Sequence, residues 1–350
     1  MEEIKFITGS EKKFFDFISN INDKDKVALL SHKDNDGIAS AVIVSKVIGN
    51  LEHISFLDYG KKMLVNLVSE LKAKQINKVI ITDFSLDENI EEIKEIEKFA
   101  EILSIDHHIF ANDLNSEKTI FIKTESALPA SYSCYYLFSK VRKIPGWIAA
   151  LGIAGDRVDK YHDKNAYEIF SDFSLGEEPK GYFWKYVINL GNALIYFTSL
   201  KMDMKEIYEI IMKANKLEDL DVLDKYASEV QRELDFHMNE FENKKEEFKD
   251  MIFYHYKPKY SINSMLINAI SLRDKNKTYI LAAEFNGLLR VSARRQDKLI
   301  DCVRLLQDAI EGIADSTAGG HIAAAGASFP VQFFGKFKEK LFKLYDNMKH

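Results

Sequence analysis

The sequence predicts a parallel, doubly wound α/β domain joined by a long helix to a smaller, mixed α/β domain. Three observations carry this prediction. Short β-branched runs alternate with helical patterns from Lys26 onward, the stretch from 217 to 250 is densely charged with bulky residues at helical spacing, and a second series of strands and helices begins near Met251. Strict alternation favours right-handed βαβ units and a sheet covered on both faces. The predicted domains are 1–200 and 251–350, with a helical connector over 201–250.

The composition is that of a folded protein of two domains: 350 residues, of which 46% are apolar and 12% aromatic. The first residues are charged and lack the apolar core of a signal peptide, and no apolar run approaches the about 18 residues that span a bilayer. We therefore expect a cytoplasmic protein without membrane contact. Cys134 and Cys302 are far apart in apolar helical patterns, which argues against a disulfide scaffold or a thiolate zinc site.

The net charge of −6 is unevenly distributed. Residues 251–350 carry 15 Lys and Arg against 9 Asp and Glu, whereas the first 250 residues carry 33 against 45. The overall acidity argues against a protein that coats duplex DNA, because phosphate neutralisation needs surplus basic residues. The C-terminal part is nevertheless suited to a polyanion and the N-terminal part to cations. Uneven surface charge without a role is the alternative.

The candidate strands of the first domain are VALLSH (27–32), HISFLDY (53–59), KVIITDF (78–84) and EILSIDH (101–107). In parallel α/β sheets, ligands bind at the carboxyl ends of the strands. The polar stretches SHKDND, TDFS and DHH each directly follow a hydrophobic run. The acidic and histidine clusters are therefore predicted to meet at one edge of the sheet.

The charged stretch repeats bulky residues four and three apart, like a coiled-coil seam, at Leu223, Ala227, Val230, Leu234, His237 and Phe241. Packing on its own chain is the ordinary interpretation of such a helix. A subunit contact is the other, and with it we expect a homo-oligomer. The second domain then reads strand, helix, strand, strand, helix, a glycine-rich turn (TAGGHIAAAG), strand and terminal helix.

SHKDNDG places His32, Asp34 and Asp36 at alternate positions, so that their side chains converge. Gly37 allows a tight turn into the next helix, whose N-terminus adds positive potential. Two aspartates two residues apart repel each other unless a cation neutralises them. An Asx turn followed by a helix cap is the alternative, and it explains only one of the two aspartates.

Asp83 follows the apolar run VIIT, where an unpaired carboxylate would be costly. Taken alone, it would be an N-cap of the following helix. Asp156 lies near the end of an apolar helix, at the negative end of the dipole, which indicates a compensating cation. Asp159 and His162, just beyond, are interpreted as surface residues.

Together these segments offer more ligands than one ion can use: His32, Asp34, Asp36, Asp83, His107 and Asp156. Two ions sharing a bridging carboxylate would use them all. Imidazole and carboxylate without sulfur favour Mn²⁺, with Mg²⁺, Co²⁺ and Zn²⁺ as alternatives. A two-metal centre is suited to in-line displacement at phosphorus.

HKDNDG, TDFS, DHH and GIAGD, in this order and spacing, resemble the four motifs of the DHH phosphoesterases, and GGH at 319–321 resembles the signature of their DHHA1 domain. The resemblance leaves only about 165–250 unmatched. It implies a first ion on His32, Asp34 and Asp83 and a second on Asp36, Asp83, His107 and Asp156. His108 would face the substrate and Asp106 would orient a histidine, as ligating imidazoles require. The family often has aspartate where His32 stands.

In the second domain, RVSARR presents Ser292 and Arg294 on one predicted strand face, with Arg295 opposite. Arginine suits phosphate through its planar fork, and the glycines of TAGGH expose backbone N–H groups to an anion. A solvated edge strand is the alternative. The resemblance assigns Arg294, Gly319, Gly320 and His321 to substrate binding, and Ser292 and Arg295 are further candidates.

The resemblance implies a metal-dependent hydrolase. The chain is similar to archaeal RecJ-like exonucleases, including the Hef-associated nuclease, a 3′ to 5′ exonuclease group. We therefore expect an exonuclease for single-stranded DNA or RNA in repair or processing, with a replication or repair protein as a partner. One alternative is a phosphoesterase for nanoRNA, cyclic dinucleotides or adenosine bisphosphate. Another is a non-catalytic replication scaffold, although relatives of that kind have lost metal ligands.

Overall fold

The computed structural model describes residues 4–58, 63–87, 89–156, 168–169, 171 and 181–347. The chain forms two compact units. The first contains residues up to 194 together with 203–225, and the second contains 195–202 together with the chain from Tyr226 onward. The predicted connector is thus divided between the two units, and the three-part division stays a prediction. None of the helices in the described ranges is long and apolar enough to cross a membrane.

The first unit is built on one six-stranded sheet. Its strands are β1 (Phe6–Thr8), β2 (Val27–His32), β3 (His53–Leu57), β4 (Lys78–Thr82), β5 (Glu101–Asp106) and β6 (Thr119–Thr124). Their order in the sheet is β1-β6-β5-β4-β2-β3. Strands β2 to β6 are parallel and β1 joins β6 antiparallel. This confirms the parallel α/β architecture, and each of the four predicted strands is present.

Helices lie on both faces of this sheet. The helices along this part of the chain are α1 (Glu11–Ser19), α2 (Asn35–Ile48), α3 (Met63–Ala73), α4 (Ile90–Glu97), α5 (Ala130–Phe138), α6 (Gly146–Gly155), α7 (Gly181–Leu200), whose last residues belong to the second unit, and α8 (Lys205–Lys213), followed by a 3₁₀ helix (Leu217–Leu223). Helices α3 and α4 pack on one face through a buried cluster that includes Leu67, Ile93 and Ile81. Helices α2, α5 and α6 pack against one another, with α2 and α5 against the strands.

Strands β1 and β6 were not predicted from the sequence. Strand β6 has the sequence TIFIKT, in which Lys123 interrupts an otherwise apolar alternation. Strand β1 has only three residues. The omission matters for function, because β6 lies beside β5 and its register places Lys123 next to Asp106.

The second unit is built on another six-stranded sheet. Its strands are β7 (Glu246–Phe248), β8 (Met251–Tyr256), β9 (Thr278–Phe285), β10 (Leu288–Arg294), β11 (Thr317–His321) and β12 (Ala324–Pro330). Their order is β11-β12-β10-β9-β8-β7. Only β8 and β9 pair in parallel, and the other pairs are antiparallel. The predicted mixed α/β architecture is confirmed.

Helices cover both faces of the second sheet as well. They are α9 (Asp224–Lys244), α10 (Asn263–Ser271), α11 (Cys302–Ile310) and α12 (Phe334–Asn347), with a 3₁₀ helix at Val331–Phe333. One cluster joins the sheet to α9 and α10, and the other joins it to α11 and α12. Alternate strand residues serve the two clusters, since Ile280 lies in one and Leu281 in the other.

The predicted glycine-rich turn is a β-hairpin. TAGGH forms strand β11, which pairs with β12 from Thr317↔Ser328 to His321↔Ala324. Gly320 has φ +131, and a Cβ there would lie 2.5 Å from the carbonyl oxygen of Ala324. Position 320 therefore requires glycine, while pairing with β12 makes TAGGH a strand, and the turn itself consists of Ile322 and Ala323.

The seam of α9 packs on its own unit. Val230 is 0% exposed and Phe241 2%, and both lie in the cluster with Tyr254 and Leu266, with Leu234 packed against it. The subunit contact proposed for this seam is therefore wrong, because its apolar side chains are already covered by the second sheet. The oligomeric state of the chain stays a prediction.

We expect Val230→Lys to destabilise the second unit by about 3 kcal/mol or more, because it buries an unpaired ammonium group. Phe236, on the same helix, is 56% exposed, so Phe236→Lys should change the free energy of unfolding by only about 0.5 kcal/mol. Urea unfolding followed by circular dichroism measures both. Equal stability of the two variants would contradict the packing described for this helix.

Candidate metal centre

The candidate site lies where the order of the first sheet reverses. From β2 the chain continues to β3 on one side, then returns to form β4 on the other side of β2. Ligand sites of open α/β sheets lie outside the carboxyl ends of the strands at such a switch point. The side chains that follow β2, β4 and β5 meet there, as the sequence predicted.

The loop after β2 is fixed by helix caps. Asp34 is the N-cap of α2, and its Oδ1 accepts a hydrogen bond from the N–H of Gly37 at 2.9 Å. Its Oδ2 lies 3.0 Å from Nδ1 of His32. The predicted Asx turn is therefore present at Asp34, and it leaves one carboxylate oxygen facing the site.

Asp36 is held by a different helix. Its two oxygens accept hydrogen bonds from the N–H groups of Ala130 at 2.7 Å and Ser131 at 2.9 Å, in the first turn of α5. The carboxylate is 1% exposed. The positive end of α5 therefore stabilises an anion at this buried position, which explains the aspartate that the simple turn left unexplained.

Asp83 follows β4 in a left-handed conformation, with φ 54. Aspartate is one of the few non-glycine residues that adopt this region readily, and the Asp83 N–H donates to the carbonyl of Ile105 at 3.0 Å. The residue is 1% exposed. Oδ1 lies 3.5 Å from Nε2 of His107, and Oδ2 lies 3.7 Å from Nδ1 of His32. The carboxylate of Asp83 thus lies between the two histidines.

His107 is oriented by the backbone. Its Nδ1 donates to the carbonyl oxygen of Ser126 at 3.1 Å. The other nitrogen, Nε2, faces three carboxylates, with Asp156 Oδ2 at 3.4 Å, Asp83 Oδ1 at 3.5 Å and Asp36 Oδ2 at 3.9 Å. A histidine whose Nδ1–H binds a carbonyl presents Nε2 as a ligand, which is the usual arrangement at a metal.

The crowding of carboxylates shifts the ionisation of the whole cluster. Burial by itself would lower the pKa of His32 and His107, but the surrounding aspartates outweigh it and raise each pKa to about 10. Burial, reinforced by Asp36, raises the pKa of Asp156 to about 7. Burial likewise raises the pKa of Asp83. Protonated histidines thus neutralise part of the negative charge of the cluster.

These residues fit two divalent cations. One group of converging ligand atoms comes from His32, Asp34 and Asp83, and another from Asp36, His107 and Asp156. Asp83 also approaches His107, so it lies between the groups. Oδ2 of Asp83 is buried and accepts no hydrogen bond from any residue that the structure describes. Divalent cations would satisfy that oxygen and replace the protons on the histidines.

The affinity of the site for Mn²⁺ is expected to rise with pH. Without metal, the histidines, with pKa about 10, are protonated throughout the neutral pH range, and Asp156, with pKa about 7, is protonated mainly at the lower end of that range. These groups must lose those protons to bind the ion. Below the pKa of a group, each proton that it releases on binding adds about a factor of ten in Mn²⁺ affinity per pH unit. Titration calorimetry at pH 6.5, 7.5 and 8.5, in buffers of different ionisation enthalpy, measures affinity and proton release together. A constant affinity would contradict the ligand assignment.

Asp106 belongs to a third group of converging ligand atoms, with Asp83, His107 and His108. It is 0% exposed and forms an ion pair with Lys123, which is also 0% exposed. Its Oδ1 accepts a hydrogen bond from Nδ1 of His108 at 2.7 Å. Asp106 was expected to orient a histidine, and the structure places it beside His108. Lys123 was missed, although a lysine inside an apolar strand was a signal of a buried ion pair.

Two of the predicted substrate residues of the second unit lie on one face of β10. Oγ of Ser292 accepts a hydrogen bond from Nδ2 of Asn263 at 2.8 Å, and Nε of Arg294 donates to Oδ1 of Asn268 at 3.0 Å. Arg294 has no carboxylate partner among the residues that the structure describes, and burial lowers its pKa. No carboxylate of the described residues therefore neutralises its charge.

Arg295 differs from Arg294 because it has carboxylate partners, and the substrate role predicted for it stays a prediction. Its guanidinium donates to Oδ2 of Asp250 at 2.6 Å and to Oδ1 of Asp297 at 2.8 Å, and the residue is 2% exposed. Two carboxylates already neutralise its charge. The predicted residues Gly319, Gly320 and His321 are exposed on β11, at the edge of the second sheet. Asp159 and His162 lie outside the described residues.

Comparison with solved structures finds the same fold in several proteins. An exonuclease RecJ bound to manganese matches with a TM-score of 0.72 at 13% identity, over 99% of this chain and 96% of that one. RecJ from Thermus thermophilus, in complex with Mn²⁺, matches with a TM-score of 0.68 at 13% identity. Cdc45 from Entamoeba histolytica matches with a TM-score of 0.60 at 11% identity, over 96% of this chain and 98% of that one.

This chain spans 54% of the Thermus thermophilus RecJ chain, while 97% of this chain is covered. A search of curated proteins gave no match. The sequence itself matches the N-terminal domain of the DHH family over residues 26–155, a range that begins just before β2 and ends next to Asp156. Residues 26–155 therefore carry the likeness to a DHH-family N-terminal domain, and the candidate metal centre lies within and directly beside this range.

Proposed function

We propose that the protein is a divalent-metal phosphodiesterase that removes mononucleotides from single-stranded DNA or RNA, in the 3′ to 5′ direction. The observation that carries the proposal is the convergence of two histidines and three aspartates around a fourth aspartate, Asp83. Two Mn²⁺ ions held by these residues would supply charge stabilisation for in-line displacement at phosphorus. The proposed role is in DNA repair or in nucleic-acid processing.

The residues of the chain then divide into three tasks. His32, Asp34 and Asp83 would hold one ion, and Asp36, Asp83, His107 and Asp156 the other. His108, whose side chain is 37% exposed beside the buried ligands, would bind a non-bridging oxygen of the phosphate. Asp106 would keep the proton on Nδ1 of His108, so that the ring meets the substrate through Nε2.

The second unit supports a nucleic-acid substrate. Arg294 has no carboxylate partner among the described residues, and the exposed GGH strand offers backbone N–H groups and an imidazole. The surplus of Lys and Arg in residues 251–350 adds long-range attraction for a polyanion. The fold likeness to a manganese-bound exonuclease RecJ points the same way. We propose that this unit binds the strand.

Arg294→Ala is expected to raise KM for a single strand by about tenfold or more, because a charge-assisted phosphate contact contributes about 1.5–3 kcal/mol. Arg304→Ala is the matched control, since Arg304 is exposed and pairs with Asp308 in its own helix. Steady-state kinetics on a labelled oligonucleotide compares the two variants. An unchanged KM in Arg294→Ala would remove this residue from the substrate site.

The function is tested with the purified protein, Mn²⁺, and single-stranded DNA and RNA of about 30 nucleotides labelled at either end. A dinucleotide, a cyclic dinucleotide and adenosine bisphosphate are included as short substrates. Stepwise loss of mononucleotides supports the proposal, and the labelled end gives the direction. Cleavage of the short substrates alone would replace it with nucleotide turnover. No cleavage, with single-strand binding retained, would leave the non-catalytic scaffold.

A further inference from the structure

Lys123 is a buried charge that the metal centre does not use. It lies on β6 directly opposite Asp106 of β5, and both residues are 0% exposed. Its ammonium group forms an ion pair with Oδ2 of Asp106 and donates to the carbonyl oxygen of His108 at 3.1 Å. The rings of Phe110 and Phe121 lie 5.4 and 5.0 Å from Nζ. Water is thus kept from this ion pair.

These contacts hold His108 at two points. Lys123 contacts one oxygen of Asp106, while the other oxygen, Oδ1, lies 2.7 Å from Nδ1 of the His108 ring. The same ammonium group also holds the backbone carbonyl of His108. A rotation of the Asp106 carboxylate would break its contact with Lys123, and a shift of the loop after β5 would break the contact of Lys123 with the His108 carbonyl.

We propose that Lys123 is a positioning residue for His108. It fixes the carboxylate that holds Nδ1 and the backbone that carries the ring, so that His108 meets the substrate phosphate through Nε2 in one orientation. The kinetic part of this inference rests on the proposed function. The structural part, that Lys123 sets the state of the His108 ring, does not.

The first sheet contains a matched control. Lys78 on β4 lies opposite Glu101 on β5, and its Nζ donates to Oε2 of Glu101 at 2.7 Å. Lys78 is 6% exposed, so it is also a buried lysine in a cross-strand ion pair. Both residues stand at the amino ends of their strands, on the edge of the sheet opposite the candidate metal centre. Lys78→Met therefore removes a similar interaction without touching His108.

The test compares Lys123→Met and Lys78→Met in the full chain. Ring ¹⁵N signals of His108, assigned with His108→Gln, are recorded on histidine-labelled protein with Mg²⁺. Mn²⁺ affinity is measured by calorimetry. The constants kcat and KM are measured with a single-stranded oligonucleotide as substrate. For Lys123→Met we expect altered His108 signals and kcat lowered about 10- to 100-fold, with Mn²⁺ affinity within about threefold, since the ligands are untouched. Lys78→Met should match the wild type in all three.

A folded Lys123→Met protein with unchanged His108 signals and unchanged kcat would overturn the inference. If Lys123→Met does not fold, the single variant Asp106→Asn is compared with a double variant that carries both Asp106→Asn and Lys123→Met. The double variant has neither charge of the buried ion pair. A further change of the His108 signals in the double variant supports the inference, and identical signals refute it. If the wild-type protein cleaves no substrate, the proposed function fails, while the ring signals still decide the role of Lys123.

Discussion

Asp83→Asn is expected to lower hydrolysis by at least about 10³-fold, because the carboxylate between the two ligand groups contributes to both ions and loss of several kcal/mol of charge stabilisation has this effect. Asparagine adopts the left-handed conformation of Asp83 as readily as aspartate, so the loop after β4 should keep its course. Alanine would add strain at the same position. Asparagine therefore separates the loss of the ligand from the loss of the fold.

The same substitution should leave the metal-free protein at least as stable as the wild type. Burial, together with Asp36, raises the pKa of Asp83, so the folded state binds more protons than the unfolded state above the ordinary carboxyl pKa. The stability of the metal-free wild type therefore falls as the pH rises from the ordinary carboxyl pKa to the raised pKa of Asp83. Asparagine has no charge to bury, so its advantage should be absent near pH 4 and present at pH 8.

Asp87→Asn is the matched control, because Asp87 is 5% exposed in the same loop but is not a proposed ligand. Its carboxylate accepts hydrogen bonds from the N–H of Ala111 at 2.7 Å and Oγ of Ser85 at 2.8 Å. We expect the metal-free control to lose about 1–2 kcal/mol and to keep its activity. Thermal unfolding with EDTA and with Mn²⁺, beside the nuclease assay, measures both variants. Asp83→Asn retaining a tenth of the wild-type rate would refute the two-metal proposal.

The convergence of the candidate ligands was predictable because it depends on local patterns. Apolar runs of strand length end in His32, Asp83 and Asp106 or their neighbours, and a parallel sheet brings such ends to one edge. The partners of buried charges were not predictable in the same way. Nothing near Arg295 in the sequence indicates Asp250, which lies 45 residues away, and nothing in DHHIF indicates Lys123. Asp106 and Lys123 pair across neighbouring strands, whereas Arg295 and Asp250 lie just outside strands that are not neighbours in the sheet. Both contacts depend on the assembled sheet.

The conformation of GGH shows a second limit. A glycine-rich run favours a turn by local propensity, yet TAGGH forms an edge strand because pairing with β12 satisfies its backbone. The environment of Asp36 shows the same limit, since the N–H groups that bind it come from Ala130 and Ser131. Local sequence therefore indicated which candidate ligands converge, while the groups that hold them depend on tertiary contacts.

Gly37→Ala is expected to destabilise the first unit by about 3 kcal/mol and to abolish Mn²⁺ binding. A Cβ at Gly37 would lie 2.1 Å from the carbonyl oxygen of His32 and 2.5 Å from its carbonyl carbon. Both contacts are with backbone, so relief requires α2 to move away from the end of β2. The N–H of Gly37 also donates to Oδ1 of Asp34, the N-cap of α2, and the carbonyl of Gly37 accepts a hydrogen bond from Oγ of Ser31 at 2.7 Å.

The displacement of α2 should disturb the candidate metal centre because three proposed ligands lie in or beside this turn, namely His32, Asp34 and Asp36. Gly191→Ala is the control, since the nearest contact of an added Cβ in α7 is 3.6 Å, with Oδ1 of Asn35. In a helix interior that change should stabilise the protein by up to about 1 kcal/mol. Unfolding in urea and Mn²⁺ calorimetry compare the variants. Gly37→Ala with wild-type stability and affinity would show that the close approach of α2 to β2 is not what brings the ligands together.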